Sequence, residues 1–131
     1  MAQAAHPSRP AAIPIVAQAQ RAAWLCLDRK ASDVVVLDLS KVSTATDFFV
    51  IASGTSDTHV RAVAEHVVEE LKKEGNRVHH VEGLPSGRWV LLDYVDFVVH
   101  VFHPVLREFY QLERLWSDAE VIPVDGEGAR P

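Results

Sequence analysis

The chain has 131 residues, of which 48% are hydrophobic and 24% charged, which is typical of one globular domain and too short for two comfortable ones. The formal net charge of −5 argues against a general nucleic-acid binder, and the single cysteine, Cys26, excludes an intramolecular disulfide. No apolar run approaches the roughly 20 residues of a membrane span, and the N-terminus lacks the pattern of a secretory signal. We therefore expect a cytoplasmic protein without a membrane partner.

The two ends of the chain differ in composition from its middle. The first residues, MAQAAHPSRPAAI, are rich in alanine and proline, and the chain closes on PVDGEGARP. Such compositions are typical of flexible tails. We predict one folded domain over residues 14–119, with tails at 1–13 and 120–131.

The first half of the domain predicts a helix, two strands and a second helix. Pro14 suits a first helical turn, and IVAQAQRAAWLCLDRKA follows with apolar residues at helical spacing. DVVVLDLS and FFVIASG predict strands, and the second is expected to be central because it is apolar nearly throughout. TSDTHVRAVAEHVVEELKKEG predicts a helix that Ser56 or Asp57 can cap. Its apolar stripe consists of Val60, Val63, Ala64, Val67, Val68 and Leu71.

The second half predicts three strands and a last helix. RVHHVEG is a short strand, LPSG turns the chain, and RWVLLD and DFVVHVF are two strands separated by a turn. Pro104 opens the helix PVLREFYQLERLWSDAE, whose apolar residues include Val105, Phe109, Leu112, Leu115 and Trp116. The order α-β-β-α-β-β-β-α predicts an α/β (α+β) fold with a single mixed sheet of about five strands and packed helices.

Asp93 and Asp96 interrupt an apolar stretch and are the first candidates for catalysis. In a nucleotidyltransferase-type enzyme, the loop SGTSD could hold phosphate at a helix start and the two aspartates could hold magnesium. Carboxylates on one strand face need a separation of two, however, and these are three apart. Their spacing favours a turn that their side chains cap. The enzyme remains the alternative function.

Other reactive side chains give weaker patterns. His79 and His80 point to opposite faces of a strand and no second cysteine is present, so we expect no metal site. Ser53 and Ser56 lie outside a G-x-S-x-G motif, which favours turn and cap roles. No RNP-type motif surrounds the aromatic residues, so sequence-specific nucleic-acid binding is not expected.

The strand RWVLLD is apolar on both faces over much of its length. Trp89, Leu91 and Asp93 alternate with Val90, Leu92 and Tyr94. One face can be buried under helices. The other predicts either an exposed aromatic interaction surface or a fully buried central strand, and composition leaves both open.

Three blocks resemble the ribosomal silencing factor family, also called RsfS or Iojap. They are TDFFVIASGTSDTHVRAVAEHVVEELK, VEGLPSGRWVLLDYVDFVVHVF and REFYQLERLW, within a stretch from about Asp33 to Trp116. Their order and spacing agree with the family. One position departs from it, because Val95 stands where the family commonly has glycine in D-x-G-D. Valine disfavours a turn with positive φ.

The resemblance implies a nucleotidyltransferase-like fold without a working active site, so we expect no enzyme activity and no cofactor. It implies binding to the large ribosomal subunit through ribosomal protein uL-fourteen, which sterically blocks the small subunit and silences translation when nutrients are scarce. Free family members are often homodimers. The implied partner contacts fall on Trp89, Leu91, Leu92, Asp93, Tyr94, Asp96, Asp47 and His100. Acidic groups beside apolar anchors suit a basic ribosomal protein.

Overall fold

The structure is a computed structural model that describes residues 13–42, 45–110 and 119–124. Within these ranges it has three helices and six strands. In chain order they are α1 (Ile15–Asp28), β1 (Ser32–Asp38), β2 (Phe48–Ser53), α2 (Asp57–Lys73), β3 (His80–Glu82), β4 (Trp89–Asp93), β5 (Phe97–Phe102), α3 (Pro104–Tyr110) and β6 (Glu120–Ile122).

The six strands form one mixed sheet in the order β3-β4-β5-β2-β1-β6. Strands β2 and β5 are parallel, and every other neighbouring pair is antiparallel. The predicted α/β class is therefore confirmed. The predicted central position of β2 is also confirmed, because β1 and β5 flank it.

Strand β6 is a sixth strand that the sequence did not predict. It pairs with the edge of β1 through Val36–Ile122, Leu37–Val121 and Asp38–Glu120. The sequence had placed these residues at the end of a helix and in a C-terminal tail. A strand of three residues gives too short a pattern to recognise, since its position depends on the edge that β1 offers.

Helices α1 and α2 cover one face of the sheet, here called the core face. Helix α1 buries Ala19, Ala22, Ala23, Leu25 and Cys26. Helix α2 buries most of its predicted stripe, and Ser56 caps it by accepting the N–H of His59 at 3.1 Å. Burial raises the pKa of the Cys26 thiol to about 12, so this cysteine is a small apolar core residue.

The β4–β5 turn holds Val95 at a φ of +75°. The carboxylate of Asp93 accepts the N–H of Val95 at 2.7 Å, and the N–H of Asp96 donates to the carbonyl of Tyr94 at 2.9 Å. The second bond closes a γ-turn with positive φ, which is a rare and strained turn. The predicted turn-capping role of Asp93 is confirmed. The turn keeps a positive φ although its residue is β-branched, which makes Val95 a genuine backbone outlier.

Helix α3 begins at Pro104, as predicted, and is described as far as Tyr110. The predicted stripe residues Leu112, Leu115 and Trp116 lie outside the described residues, as does nearly all of the predicted N-terminal tail. Within the described ranges no helix combines the length and apolar character needed to cross a bilayer.

Candidate functional site

The sheet face opposite α1 and α2, here called the second face, is a regular grid of side chains in three rows. One end row runs Leu37–Phe49–Val98–Asp93 across β1, β2, β5 and β4, and the middle row runs Val35–Ile51–His100–Leu91. The other end row runs Ser53–Phe102–Trp89. Strand alternation therefore collects most of the aromatic and aliphatic residues of four strands on one surface.

Burial on the second face varies from its centre to its borders. Leu37, Ile51 and Phe102 are buried, and Leu106 of α3 and Ala119 pack against them. The half-buried residues are Val35, Phe49, Trp89, Leu91, Asp93 and Val98. These side chains form a partly accessible apolar rim around a second buried cluster, so the apolar surface that a partner could contact lies at its border.

A polar contact joins the side chains of Trp89 and His100 on the second face. The indole N–H of Trp89 donates to Nδ1 of His100 at 3.1 Å. The Trp89 ring also stacks on Phe102, with ring centroids 5.1 Å apart. His100 is buried, and burial lowers its pKa to about 4, so the imidazole is neutral near neutral pH.

The structure separates the eight predicted contact residues into two groups. Trp89, Leu91, Asp93 and His100 lie on the second face. Leu92 and Tyr94 point to the core face, where Leu92 is 0% and Tyr94 7% exposed. That Leu92 and Tyr94 contact a partner stays a prediction, which their burial does not favour because such side chains have almost no surface to offer. Burial also raises the pKa of the Tyr94 hydroxyl, and its ring stacks on Phe97.

Asp47 and Asp96, the remaining two, lie at one end of the sheet. The N–H of Asp47 donates to the carbonyl of Asp96 at 3.0 Å, and both residues are exposed. Strand pairing brings three more carboxylates to this end. We call the set the acidic end, and it comprises Asp38, Asp47, Asp93, Asp96 and Glu120. Ser40 donates its hydroxyl and its N–H to Asp38, which holds the pKa of that carboxyl below its usual range.

The nucleotidyltransferase alternative requires the SGTSD loop and the Asp93/Asp96 pair to meet at one site. They lie at opposite ends of the sheet, because the loop follows β2 whereas Asp96 precedes its parallel neighbour β5. Five residue steps of strand separate the two ends by about 17 Å. The carboxylate of Asp93 already caps the turn. No group of three or more histidine, cysteine or acidic side chains could hold a metal ion in the described part of the chain.

The predicted turn and cap serines are engaged in structural contacts. Ser56 caps α2, and the hydroxyl of Ser53 accepts a hydrogen bond from Nη1 of Arg107 at 2.9 Å. That bond fastens the start of α3 to the end of β2. Sequence reasoning missed Arg107, and it missed Phe49, Ile51 and Val98 as members of the second face. Their alternation along the strands was visible, but the register that joins them was not.

Comparisons with known proteins agree with this fold. A family model described as "Ribosomal silencing factor during starvation" matches residues 12–131. The ribosomal silencing factor RsfS of Bacillus subtilis is 41% identical over 104 residues, which cover 79% of this chain and 88% of that protein. A protein of Arabidopsis thaliana described as "Protein Iojap-related, mitochondrial" is 38% identical over 69% of this chain and 51% of its own length.

Two crystal structures have similar folds. A protein of Chromobacterium violaceum superposes with a TM-score of 0.78 at 36% identity, covering 80% of this chain and 88% of the other. A protein of Bacillus halodurans gives a TM-score of 0.70 at 38% identity, with coverages of 79% and 94%. At these identities the agreement extends to sequence as well as backbone.

Proposed function

This chain belongs to the ribosomal silencing factor family, and we propose that it binds the large ribosomal subunit through ribosomal protein uL-fourteen. The family role is ribosome-associated silencing of translation, and it is regulatory rather than enzymatic. In the proposed mechanism the bound protein occupies space that the small subunit needs, so the subunits do not join. This represses translation in the cytoplasm when nutrients are scarce.

The observation that carries the proposal is the second face with its adjoining acidic end. A half-buried apolar rim that includes Trp89 and Leu91 provides the kind of anchor on which interface energy concentrates. Asp93 belongs to the grid itself, and Asp96 follows it at the other end of the β4–β5 turn. A carboxylate border of this kind is complementary to a basic ribosomal protein and favours fast encounter.

The size of the grid indicates how much of the surface the partner must use. The grid spans four strands spaced about 4.8 Å apart and three rows that lie two residues apart, with a rise of about 3.3 Å per residue. Its outermost Cα positions are therefore about 14 Å apart in each direction. A standard interface takes about 800 Å² from each partner. The grid alone is smaller than that, so the proposed interface includes the acidic end as well.

Sedimentation with isolated subunits tests the proposal. The purified protein should migrate with large subunits and not with small ones, and purified uL-fourteen should compete for it. Sedimentation with large subunits but no competition would replace the proposed partner by another component of that subunit. Failure to sediment with large subunits would reject the proposal. Sedimentation velocity of the protein alone tests the homodimer that the resemblance implies.

A further inference from the structure

His100 carries a buried hydrogen-bond donor without an acceptor among the described residues. Its Nε2 atom is inaccessible to solvent and makes no hydrogen bond there. Its other ring nitrogen accepts the indole N–H of Trp89. An indole N–H can only donate, so Nδ1 carries no proton and the single ring proton sits on Nε2. The hydrogen-bond pattern therefore assigns an unpaired N–H to the centre of the second face.

Such a group weakens the isolated fold. Buried polar groups almost always have a partner, because leaving one unpaired forfeits its hydration without replacement. An internal water would need two to four polar partners. The described neighbours of His100 offer apolar surface instead, since Ile51 and Leu91 flank it in its row and the Phe49 ring lies 4.4 Å away, centroid to centroid.

We propose that the Nε2–H of His100 is a specificity-determining donor that receives an oxygen acceptor of the protein partner when that partner docks on the second face. The acceptor is a backbone carbonyl or a side-chain amide or hydroxyl oxygen. This inference rests on the proposed function and deepens it, because it states what chemistry the partner must present at the centre of the contact.

Position and charge state support this role. His100 lies in the middle row of the grid, between Ile51 of β2 and Leu91 of β4. Because its pKa is about 4, the ring keeps a single N–H donor throughout the neutral range. The N–H has already lost its hydration in the free protein. A partner that supplies an acceptor therefore gains a hydrogen bond that a partner without one does not, and this gain discriminates between them.

Access to Nε2 requires its neighbours to move, because the atom is buried in the free protein. The Phe49 ring packs against the imidazole in a T-shaped contact and is itself half-buried. In the proposed complex, side-chain rotamers at this face change to admit the acceptor, as happens on binding in many complexes that keep their backbone fixed. The Trp89 contact meanwhile holds the imidazole in one orientation, so the donor is preorganised.

Two substitutions at His100 separate its two nitrogens. In His100→Asn the amide oxygen can replace Nδ1 as the acceptor for Trp89, but the shorter amide cannot place its N–H groups at the position of Nε2. In His100→Gln the longer amide can place an N–H near the position of Nε2. The measurement is equilibrium binding of each full-length variant to isolated large subunits, with unfolding in urea as the check on the fold.

We expect His100→Asn to remain folded with some loss of stability, because its own amide N–H groups are buried as well, and to bind about tenfold or more weakly, with part of the affinity restored in His100→Gln. Equal binding of wild type and His100→Asn, with the fold intact, would overturn this inference while leaving the proposed function in place. No binding of the wild type would overturn both.

A second measurement needs no variant. In ¹⁵N-labelled wild-type protein, the Nε2–H resonance of His100 should move downfield and exchange more slowly when purified uL-fourteen is added. An unchanged resonance in the saturated complex would contradict the proposed hydrogen bond, even if His100→Asn failed to fold.

Discussion

The indole N–H of Trp89 and Nδ1 of His100 are 3.1 Å apart, and their hydrogen bond joins two adjacent rows of the second face. It also fixes the Trp89 ring against Phe102. Trp89 is half-buried rather than enclosed by the core, so its ring can serve both the fold and a partner. This dual position gives the most direct mutational test of the docking surface.

Trp89→Ala should leave unfolding cooperative and weaken binding to the large subunit by about 2 kcal/mol or more, as expected for an aromatic anchor. Trp24→Ala is the matched control, because Trp24 is a half-buried tryptophan on α1, beyond the opposite face. Its loss should cost stability without changing the affinity of the folded protein. If Trp89→Ala unfolds the protein, Trp89 belongs to the core and the docking surface lies elsewhere.

Leu91 and Leu92 are sequence neighbours that face opposite sides of the sheet. Leu92→Ala should destabilise the protein by about 2–5 kcal/mol, because Leu92 is wholly buried beneath the helices. Leu91→Ala should cost less stability and should weaken binding. Urea unfolding and subunit binding, measured for both variants, give the comparison. Equal effects of the two variants on binding would contradict the assignment of the faces.

His100 makes the stability of the protein depend on pH. Burial depresses its folded-state pKa to about 4 from an ordinary value of 6.5. Between these values the unfolded chain binds more protons, so the stabilising contribution is complete above pH 6.5 and is lost as the pH falls toward 4. The loss amounts to at most about 3 kcal/mol. The stability of the wild type relative to His100→Phe should fall by this amount between pH 7 and pH 4, and an unchanged difference would mean that the ring is solvated.

The turn at Val95 predicts a stabilising substitution. Val95→Gly should raise the free energy of unfolding by about 1 kcal/mol, since glycine adopts a positive φ without strain while Val95 is 54% exposed and buries little. The control is Val121→Gly, at an exposed valine of β6, where glycine should destabilise the strand. Thermal and urea unfolding of both variants test the sign, and stabilisation by Val121→Gly or destabilisation by Val95→Gly would contradict the account of the turn.

The acidic end should act mainly on the rate of association. The double substitution of Asp47→Asn with Asp96→Asn removes the charges of two exposed residues whose backbones are hydrogen-bonded to each other. It should lower the association rate constant for large subunits and reduce its dependence on salt. Glu65→Gln, at an exposed site on α2, is the control for loss of surface charge. The measurement is stopped-flow binding at two ionic strengths. Equal behaviour of the two variants would contradict the proposed role of the acidic end.

Local patterns predicted most of the elements, because α2 and β4 each satisfy a periodicity that few alternatives share. The alternation of Trp89 with Leu92 also predicted that one face would be buried. It does not decide which residues a partner can reach, and the family resemblance implies contacts for Leu92 and Tyr94 together with Trp89. That distinction depends on where the helices pack, which is a property of the assembled fold.

The remaining differences also have non-local causes. The three-row grid depends on the register of β1 against β2 and of β2 against its parallel neighbour β5. Nothing in DFVVHVF alone indicates that His100 lies at the centre of a face or that one of its nitrogens lacks an acceptor. The positive φ of Val95 runs against the preference of its side chain, so the surrounding hairpin imposes it.

The central claim is that occupancy of the large subunit prevents subunit joining. The most direct measurement mixes isolated subunits with increasing amounts of the purified protein and follows, in one sucrose gradient, the bound protein and the fraction of joined ribosomes. The account predicts that joined ribosomes decrease in proportion to the large subunits occupied, and that Trp89→Ala shifts both curves together to higher concentration. Large subunits that carry the protein and still join small subunits normally would contradict it.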